Sequence, residues 1–163
     1  MEQKKKVYEL LDSLEIKYEA IDHPAAYTIE EMDHIELFRD NHWIAKNLFL
    51  RDDKGRRHFL IVLDKYKTAD LKSIRAQLGT SGLSFASEER LMKYLKLTKG
   101  SVTPFGILHD DDLAVEVIFD SALIGRDLIG VHPNDNTATV MLSCADLMRI
   151  IQEHGNKVSI VEI

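Results

Sequence analysis

Two apolar segments joined by a short polar link limit the possible folds of this chain more than any other feature. Residues 44–51 and 57–64 are rich in branched and aromatic side chains, and the link contains Asp52-Asp53-Lys54-Gly55. Asp and Gly at such a point favour a tight reversal of the backbone, so the pattern predicts an antiparallel hairpin. Further strands are predicted at 83–86, 113–119, 137–142 and 158–161, with a short one that contains Tyr18, Ala20 and Ile21 and ends at His23-Pro24.

Helices are predicted where apolar residues recur at helical spacing and where a capping residue precedes them, as Ser87 and Ser143 do. Thr28 and Glu31 form a capping box, in which both side chains accept hydrogen bonds from N–H groups at the start of a helix. The predicted helices cover about 3–15, 29–38, 70–78, 88–96 and 143–154. Helices and strands interleave irregularly, which predicts an α+β fold: a single domain over residues 1–163 with a mixed, mostly antiparallel sheet and surrounding helices.

Length and composition suit one compact soluble domain. The chain has 163 residues, of which 45% are hydrophobic and 29% charged. No run approaches the roughly 20 apolar residues that span a bilayer, and Glu9, Asp12 and Glu15 interrupt any signal-peptide core near the N-terminus. A single cysteine, Cys144, allows no internal disulfide. We therefore expect a cytoplasmic protein without a membrane partner.

The charge distribution leaves a nucleic-acid partner open. The formal net charge is −6, whereas phosphate binding is driven by Lys and Arg. Residues 46–75, however, contain nine basic and four acidic residues, a local charge of +5. This segment could form a basic face for a polyanion, or its charges could be scattered over a solvated surface.

Neither the cysteine nor the histidines predict a catalytic or metal site by themselves. Cys144 stands at a predicted helix start with no identifiable partner, so we interpret it as a small buried apolar residue. The seven histidines show neither an HExxH pattern nor a pair at i, i+4 spacing with a flanking carboxylate. We therefore expect no bound metal and no cofactor.

Three polar or glycine-rich segments are candidate parts of a site, although each also has an ordinary structural explanation. Gly100-Ser-Val-Thr-Pro-Phe-Gly106 is predicted to lack regular structure; it could present backbone N–H groups to an oxyanion or be a plain tight loop. Lys46 lies in an apolar strand, where it either faces a cavity or blunts an exposed sheet edge. The turn His132-Pro-Asn-Asp-Asn136 is either a connection or the rim of a pocket.

Five segments in order along nearly the whole chain carry a family resemblance. They are His23-Pro24 with Tyr27-Thr-Ile-Glu-Glu31, Ala45-Lys-Asn-Leu-Phe-Leu50 with Asp52, His58-Phe-Leu60, the 100–106 segment, and His132-Pro-Asn with Asn136-Thr-Ala-Thr139. Together they resemble the freestanding editing proteins related to the insertion domain of bacterial prolyl-tRNA synthetase, the YbaK or ProX group. The lysine-asparagine strand and the Pro-Phe-Gly loop are more similar to the alanine-specific branch than to the cysteine-specific one.

The resemblance implies a YbaK-like fold and a hydrolase that removes alanine from mischarged tRNA(Pro) after its release from the synthetase. The implied partners are the acceptor end of tRNA(Pro) and, as a second candidate, prolyl-tRNA synthetase; no cofactor is implied. The catalytic residues that it implies are Lys46, Gly106 and His132. The substrate-binding residues are Asn47, Gly100, Ser101, Thr103, Pro104, Phe105 and Asn134. Asp110-Asp111-Asp112, just after the loop, have no counterpart in the family pattern.

The chemistry of such a substrate agrees with the lack of a recognisable nucleophile triad. An aminoacyl ester is activated relative to an amide, and its neighbouring ribose hydroxyl can help to position water, so orientation and backbone N–H donors could suffice. Lys46 would then hold the terminal nucleotide or its phosphate. Alanine is smaller than proline, so a second, smaller pocket has to admit alanine and exclude proline. Three alternatives stay open: a non-catalytic module that binds aminoacyl-tRNA or a synthetase, a small-molecule esterase, and a deacylase for another small amino acid such as cysteine.

Overall fold

The computed structural model describes residues 2–25 and 44–163. Within these ranges the helices are α1 (Glu2–Ser13), α2 (Leu71–Leu78), α3 (Glu88–Leu95) and α4 (Cys144–His154). The strands are β1 (Glu19–Asp22), β2 (Ala45–Arg51), β3 (His58–Asp64), β4 (Ser84–Phe85), β5 (Val115–Asp120), β6 (Ile129–Val131), β7 (Ala138–Leu142) and β8 (Val158–Val161). Two short 3-10 helices cover Pro104–His109 and Ser121–Leu123. None of the helices in the described ranges is long and apolar enough to span a membrane.

The strands form two sheets where the sequence predicts one mixed sheet. In the larger sheet, with order β4-β2-β3-β5-β8, β2 pairs antiparallel with β3 and β4, whereas β5 pairs parallel with β3 and β8. The smaller sheet, with order β1-β7-β6, is antiparallel throughout. A parallel bridge between Ile44 and Gly130 links the start of β2 to β6. The predicted α+β class and the predicted hairpin are confirmed.

The β3 strand is buried on both faces, which explains its unbroken apolar sequence. All side chains of residues 59–63 are fully buried. Leu60 and Val62 belong to the main core, which also contains buried residues of α1, α3, α4 and the smaller sheet. The odd-numbered residues of the same run belong to a second cluster, which Ile74 of α2 covers. The hairpin therefore separates two apolar layers.

Ser87 and Ser143 begin helices as the sequence predicts, and Asp70 does so although the sequence places it inside a helix. The Asp70 carboxylate accepts hydrogen bonds from two N–H groups at the start of α2, and the hydroxyls of Ser87 and Ser143 cap α3 and α4. Gly155, with φ 114°, ends α4 in the left-handed conformation that glycine adopts most easily. The predicted helix over 29–38 and its capping box lie outside the described residues.

Two elements differ from the prediction. The 100–106 segment is not wholly irregular, because a 3-10 helix begins at Pro104, whose fixed φ suits the first position of a helix. Thr103 caps this helix by accepting a hydrogen bond from the N–H of Phe105 at 3.4 Å. The β6 strand is not predicted, because its three residues, with Gly130 at the centre, are too few to show an alternating pattern.

Asp110, which the family pattern leaves unexplained, has a structural position. It is buried, and its carboxylate accepts hydrogen bonds from the N–H groups of Ala114 at 3.1 Å and Val115 at 2.8 Å. The side-chain amide of Asn156 donates to the same carboxylate and to the Val115 carbonyl, both at 2.9 Å. Asp110 thus fixes the turn into β5, while the two acids that follow it are exposed.

We expect Asp110→Ala to lower the free energy of unfolding by about 2 kcal/mol or more, because the N–H groups of Ala114 and Val115 lose their acceptor, Asn156 loses one of two, and each unsatisfied group costs about 1–3 kcal/mol. Denaturant titration measures this change. Asp112→Ala is the matched control at an exposed position and should change the value by less than about 0.5 kcal/mol. Equal effects of the two substitutions would contradict a structural role for Asp110.

Candidate functional site

Hydrogen bonds join the 100–109 segment to the turn that follows β6. The Thr103 hydroxyl donates to the backbone carbonyl of His132, and the Asn134 side-chain amide donates to the Phe105 carbonyl at 3.1 Å. Asn134 adopts a left-handed backbone conformation with φ 61°, which Asn tolerates better than most residues. The structure therefore brings together Thr103, Phe105, His132 and Asn134 from two parts of the predicted site.

The other predicted residues of the loop form its frame. Pro104 is buried, and the Phe105 ring lies in the main core. Gly100 has φ 89°, which favours glycine, and the N–H of Ser101 donates to the Thr98 carbonyl at 3.0 Å. These positions account for the shape of the loop, and the predicted contact of these residues with substrate stays a prediction.

Gly106 has a packing role that the sequence does not reveal. A Cβ at this position would lie 2.7 Å from Leu97 Cδ1 and 3.2 Å from Leu95 Cβ, so a side chain would collide with the end of α3 and the segment after it. Its N–H donates to the Thr103 carbonyl at 3.0 Å. In this conformation that N–H is engaged inside the loop, and the predicted catalytic role of Gly106 stays a prediction.

The imidazole of His132 is fixed in one tautomer. Its Nδ1 lies 2.9 Å from the Ala138 carbonyl, which can only accept, so Nδ1 carries the proton and Nε2 is the basic atom. Burial lowers the pKa of His132; the bond to Ala138 acts against this, and nearby His23 adds to the lowering. The ring is therefore neutral at pH 7, as a general base has to be.

His23 and Thr139 lie close to His132, although sequence reasoning did not assign either to the site. His23 Nδ1 is 2.8 Å from the Pro24 carbonyl, and Nε2 is 2.9 Å from the Thr139 hydroxyl. The rings of His23 and His132 are 6.1 Å apart between centroids. We call His23, His132 and Thr139 the histidine cluster. Thr139 is a polar residue within an apolar strand, and this pattern was the signal available in the sequence.

Gly130 allows the start of β2 to approach the histidine cluster. A Cβ at Gly130 would lie 2.5 Å from Ile44 Cδ1, 2.9 Å from Met141 Sδ and 3.1 Å from Thr139 Cγ2. Only glycine permits this contact without moving its neighbours. Val140 points into the main core. Because neighbouring residues of a strand point to opposite faces, Thr139 points away from that core. The cluster thus lies on the face of the smaller sheet that β2 approaches.

Lys46 and Asn47 lie on opposite faces of β2. Lys46 pairs across the hairpin with Leu63, on the side of the second apolar cluster, whereas Asn47 pairs with Val62, on the side of the main core. Lys46 Nζ donates to the backbone carbonyl of Lys67. In the described part of the chain Lys46 makes no hydrogen bond to His132, and its predicted catalytic role stays a prediction.

Lys67, the partner of Lys46, is itself held at its other end. Its ammonium donates to the Asp120 carboxylate at 2.7 Å and to the Ile163 carbonyl at 3.1 Å. Asp120 is fully buried and also accepts a hydrogen bond from the N–H of Ala122 at 3.2 Å. The carbonyl that receives Lys46 is therefore part of a fixed polar network.

Three buried side-chain atoms near the predicted site residues lack hydrogen-bond partners within the described ranges: Asn47 Oδ1, Asn134 Oδ1 and Asn136 Nδ2. Native structures leave few such atoms unpaired, because each costs about 1–3 kcal/mol. Asn47 and Asn134 are predicted substrate-binding residues, and their free oxygens suit a donor such as an ammonium group. They are candidate contacts for a bound molecule.

Cys144 is unsuited to nucleophilic chemistry. It is fully buried in the main core, and burial raises the pKa of its thiol to about 11, so the reactive thiolate is scarce at neutral pH. Residues 2–25 and 44–163 contain no cluster of three or more His, Cys, Asp or Glu side chains that could hold a metal ion. The histidine cluster offers base chemistry instead.

Comparison with known proteins gives a consistent result. The family model described as "Aminoacyl-tRNA editing domain" matches residues 23–150. Prolyl-tRNA editing protein ProX of Acetoanaerobium sticklandii is 52% identical over 163 residues, which cover 100% of this chain and 99% of that protein. Prolyl-tRNA synthetase associated domain-containing protein 1 of Mus musculus is 34% identical over 151 residues, 90% of this chain and 88% of that protein.

A solved structure shares the fold. It is described as a candidate trans-editing enzyme for prolyl tRNA synthetase, and it superposes with a TM-score of 0.72 at 18% sequence identity. The superposition covers 99% of this chain and 97% of that chain. At this identity the likeness establishes the arrangement of helices and strands.

We expect NMR titration of His132 to show an Nδ1–H tautomer and a pKa below the usual value of about 6.5. Because the unfolded chain takes up this proton first as the pH falls, the stability contributed by neutral His132 is fully present above about pH 6.5 and is lost as the pH drops through the folded pKa. His132→Asn removes the signal and so assigns it. An Nε2–H tautomer or a raised pKa would contradict this geometry.

Proposed function

The chain belongs to the family of aminoacyl-tRNA editing domains, and we propose that it hydrolyses alanyl-tRNA(Pro) in trans, releasing alanine and free tRNA. As a member of this family it is an aminoacyl-tRNA deacylase, a carboxylic ester hydrolase. We further propose that residues 1–163 form one editing domain, which acts in the cytoplasm on the acceptor end of tRNA(Pro). A prolyl-tRNA editing protein that aligns with the whole chain supports this choice of tRNA.

The observation that carries the proposal is the neutral imidazole of His132, fixed by the Ala138 carbonyl so that Nε2 can accept a proton. Water attacks the ester carbonyl carbon while Nε2 takes the water proton. The bond from this carbon to the ribose oxygen then breaks, and the proton passes to that oxygen, which yields free alanine and a terminal ribose hydroxyl. The neighbouring ribose hydroxyl can assist by positioning the water.

The α-ammonium group of the substrate is the natural donor for an unpaired amide oxygen. Asn134 Oδ1 is such an atom, and the Asn134 amide is already oriented by the Phe105 carbonyl. Thr103 holds the backbone of His132 from the same side. The loop therefore positions the proposed base and the proposed ammonium contact together, and this supports a role for the loop in orientation.

In this proposal Lys46 contacts the terminal nucleotide or its phosphate. At present its ammonium is held by a neutral carbonyl, that of Lys67. A phosphate oxygen would be a stronger partner, because charge-assisted hydrogen bonds are about twice as strong as neutral ones. Substrate binding would thus replace one partner of Lys46 by another.

Amino-acid choice is tested with three substrates on the same tRNA(Pro): the alanyl, cysteinyl and prolyl esters. We expect the alanyl ester to be cleaved with turnover and the prolyl ester to be spared, because steric exclusion of the ring can exceed the roughly 1–3 kcal/mol that a missing methylene provides. Replacing the neighbouring ribose hydroxyl by hydrogen should slow alanyl cleavage by about 100-fold or more if that hydroxyl assists.

The same experiment separates the alternatives. Preferred cleavage of the cysteinyl ester would show that the protein removes cysteine and not alanine. Cleavage of the prolyl ester at the alanyl rate would refute the exclusion of proline by a small pocket. A binding module would not turn over when tRNA is in excess. An esterase for small molecules would cleave alanine esters equally well with and without tRNA.

Removing the proposed base should reduce the rate without changing the fold. His132→Asn retains a side-chain donor for the Ala138 carbonyl but has no basic Nε2, so we expect kcat to fall by about 100-fold or more. In the wild type, kcat/KM should decline toward acid with a midpoint below about 6.5, because the pKa of His132 is lowered. Steady-state kinetics over pH 5–8 measure both effects.

His109→Asn is the matched control, since His109 Nδ1 also bonds a backbone carbonyl, that of Leu95, at 2.8 Å. This variant should keep the wild-type kcat and the wild-type pH dependence of kcat, because His109 seats the segment 95–97 and takes no part in the proposed proton transfer. An unchanged rate in His132→Asn, or equal losses in the two variants, would remove His132 as the base.

A further inference from the structure

A run of twenty residues without a carboxylate leads into the candidate site. From Arg90 to His109 the sequence contains no Asp or Glu, although the whole chain carries 27 acidic residues and a net charge of −6. Basic residues recur in this run at intervals of three, at Arg90, Lys93, Lys96 and Lys99. Such a concentration of one sign of charge in an acidic protein favours an anionic partner.

Three of these residues form what we call the lysine ridge: Lys93, Lys96 and Lys99. All three are exposed, and in the part of the chain that the structure describes none forms an ion pair with a carboxylate. Lys93 lies in the last turn of α3 with its ammonium 5.2 Å from the centroid of the Tyr94 ring, and it remains exposed. Lys96 ends that helix with φ 54°. Arg90 is different, because its guanidinium donates to the Gly55 carbonyl at 3.3 Å and to His58 Nε2 at 3.0 Å.

The basic segment that the sequence singles out, residues 46–75, is less available. Arg57 forms a two-point ion pair with Glu116, with both N···O distances at 2.9 Å, and Lys67 is bound to Asp120. Lys65 is buried, with its ammonium over the Tyr66 ring. Several positive charges of this segment are therefore paired with carboxylates or buried, and are less available to an external anion.

The lysine ridge is connected to the candidate site by direct contacts. The Leu95 carbonyl accepts a hydrogen bond from His109 Nδ1 at 2.8 Å, and the Leu97 side chain lies against Gly106. Both contacts seat the segment 95–97 on the 3-10 helix whose cap, Thr103, bonds the His132 carbonyl. Lys99 directly precedes the loop at Gly100. Lys96 and Lys99 therefore flank the residues that pack against this loop.

We propose that the lysine ridge binds the phosphate backbone of the acceptor stem while the aminoacyl end occupies the site near His132. The inference rests on the proposed function, because an ester at the end of an RNA brings its phosphates to within reach of the site. Exposed lysines without carboxylate partners bind phosphates by releasing counterions, and such contacts give affinity without reading sequence. The ridge would thus set affinity for RNA, and the loop would set the choice of amino acid.

The test compares two charge-matched variants with the wild type. In the ridge variant Lys93, Lys96 and Lys99 are each changed to Gln; in the control variant Lys54, Lys72 and Arg75, exposed residues of the 46–75 segment, are each changed to Gln. Binding of fluorescently labelled, uncharged tRNA(Pro) is measured by anisotropy at several salt concentrations. Cleavage is measured with alanyl-tRNA(Pro) and with the alanyl ester of the CCA trinucleotide, which lacks the stem.

We expect the ridge variant to bind tRNA at least about 10-fold more weakly, and its slope of log affinity against log salt to decrease by about 2–3, since each lost phosphate contact removes close to one counterion. Cleavage of alanyl-tRNA should show a higher KM with kcat unchanged. Cleavage of the alanyl trinucleotide should be unaffected. The control variant should resemble the wild type in all three measurements.

Other outcomes overturn the inference. Equal losses in the two variants would mean that overall charge, and not this surface, binds RNA. A lower melting temperature with unchanged affinity would assign the lysines to the C-terminal end of α3, where cations stabilise a helix. Loss of binding to phosphatidylserine vesicles as large as the loss for tRNA would indicate a general anion surface. If the wild type cleaves neither ester, the proposed function fails, and the anisotropy measurement still decides whether the ridge binds RNA.

Discussion

The burial of β3 on both faces determines where polar chemistry can be placed in this protein. A strand covered by two apolar layers cannot carry unpaired polar groups in its centre, because each would lose its hydration without compensation. Polar residues therefore collect where the strands end and the two sheets approach each other. His132 and Asn134 follow β6 at this boundary, and Lys46 stands on the strand next to β3. The bridge from Ile44 to Gly130 brings these two regions together.

Local patterns predict most of the helices and strands, because each depends on neighbours in the sequence. The hairpin follows from two apolar runs and a turn, and the caps of α3 and α4 follow from single serines before each helix. The division into two sheets could not be predicted, since it depends on β1 pairing with β7 across more than a hundred residues. The same pairing brings His23 to Thr139, which explains why His23 was missed.

The site could be predicted to a similar extent. The resemblance predicts that the 100–106 segment and His132 line one pocket, and the structure brings Thr103 next to His132 and Asn134 next to Phe105; their roles in a site stay predictions. The motifs do not reveal that Gly106 packs against Leu97 or that Lys46 donates to a backbone carbonyl. A count of charges along the sequence also misses contacts between distant residues. Arg57 counts toward a basic segment, but Glu116, far along the chain, neutralises it. Which charges remain available depends on the fold.

Lys67 bonds two residues with two different groups: its backbone carbonyl accepts from Lys46, and its ammonium donates to Asp120. A loss of the Asp120 carboxylate would remove one of the contacts that fix Lys67, so its effect would extend to Lys46 on a different strand. Free-energy changes at positions that share a partner in this way do not add. Lys46 and Asp120 are therefore expected to show epistasis. If the residue at position 46 or 120 is exchanged for that of a relative, we expect stability to be kept only when positions 46, 67 and 120 are exchanged together.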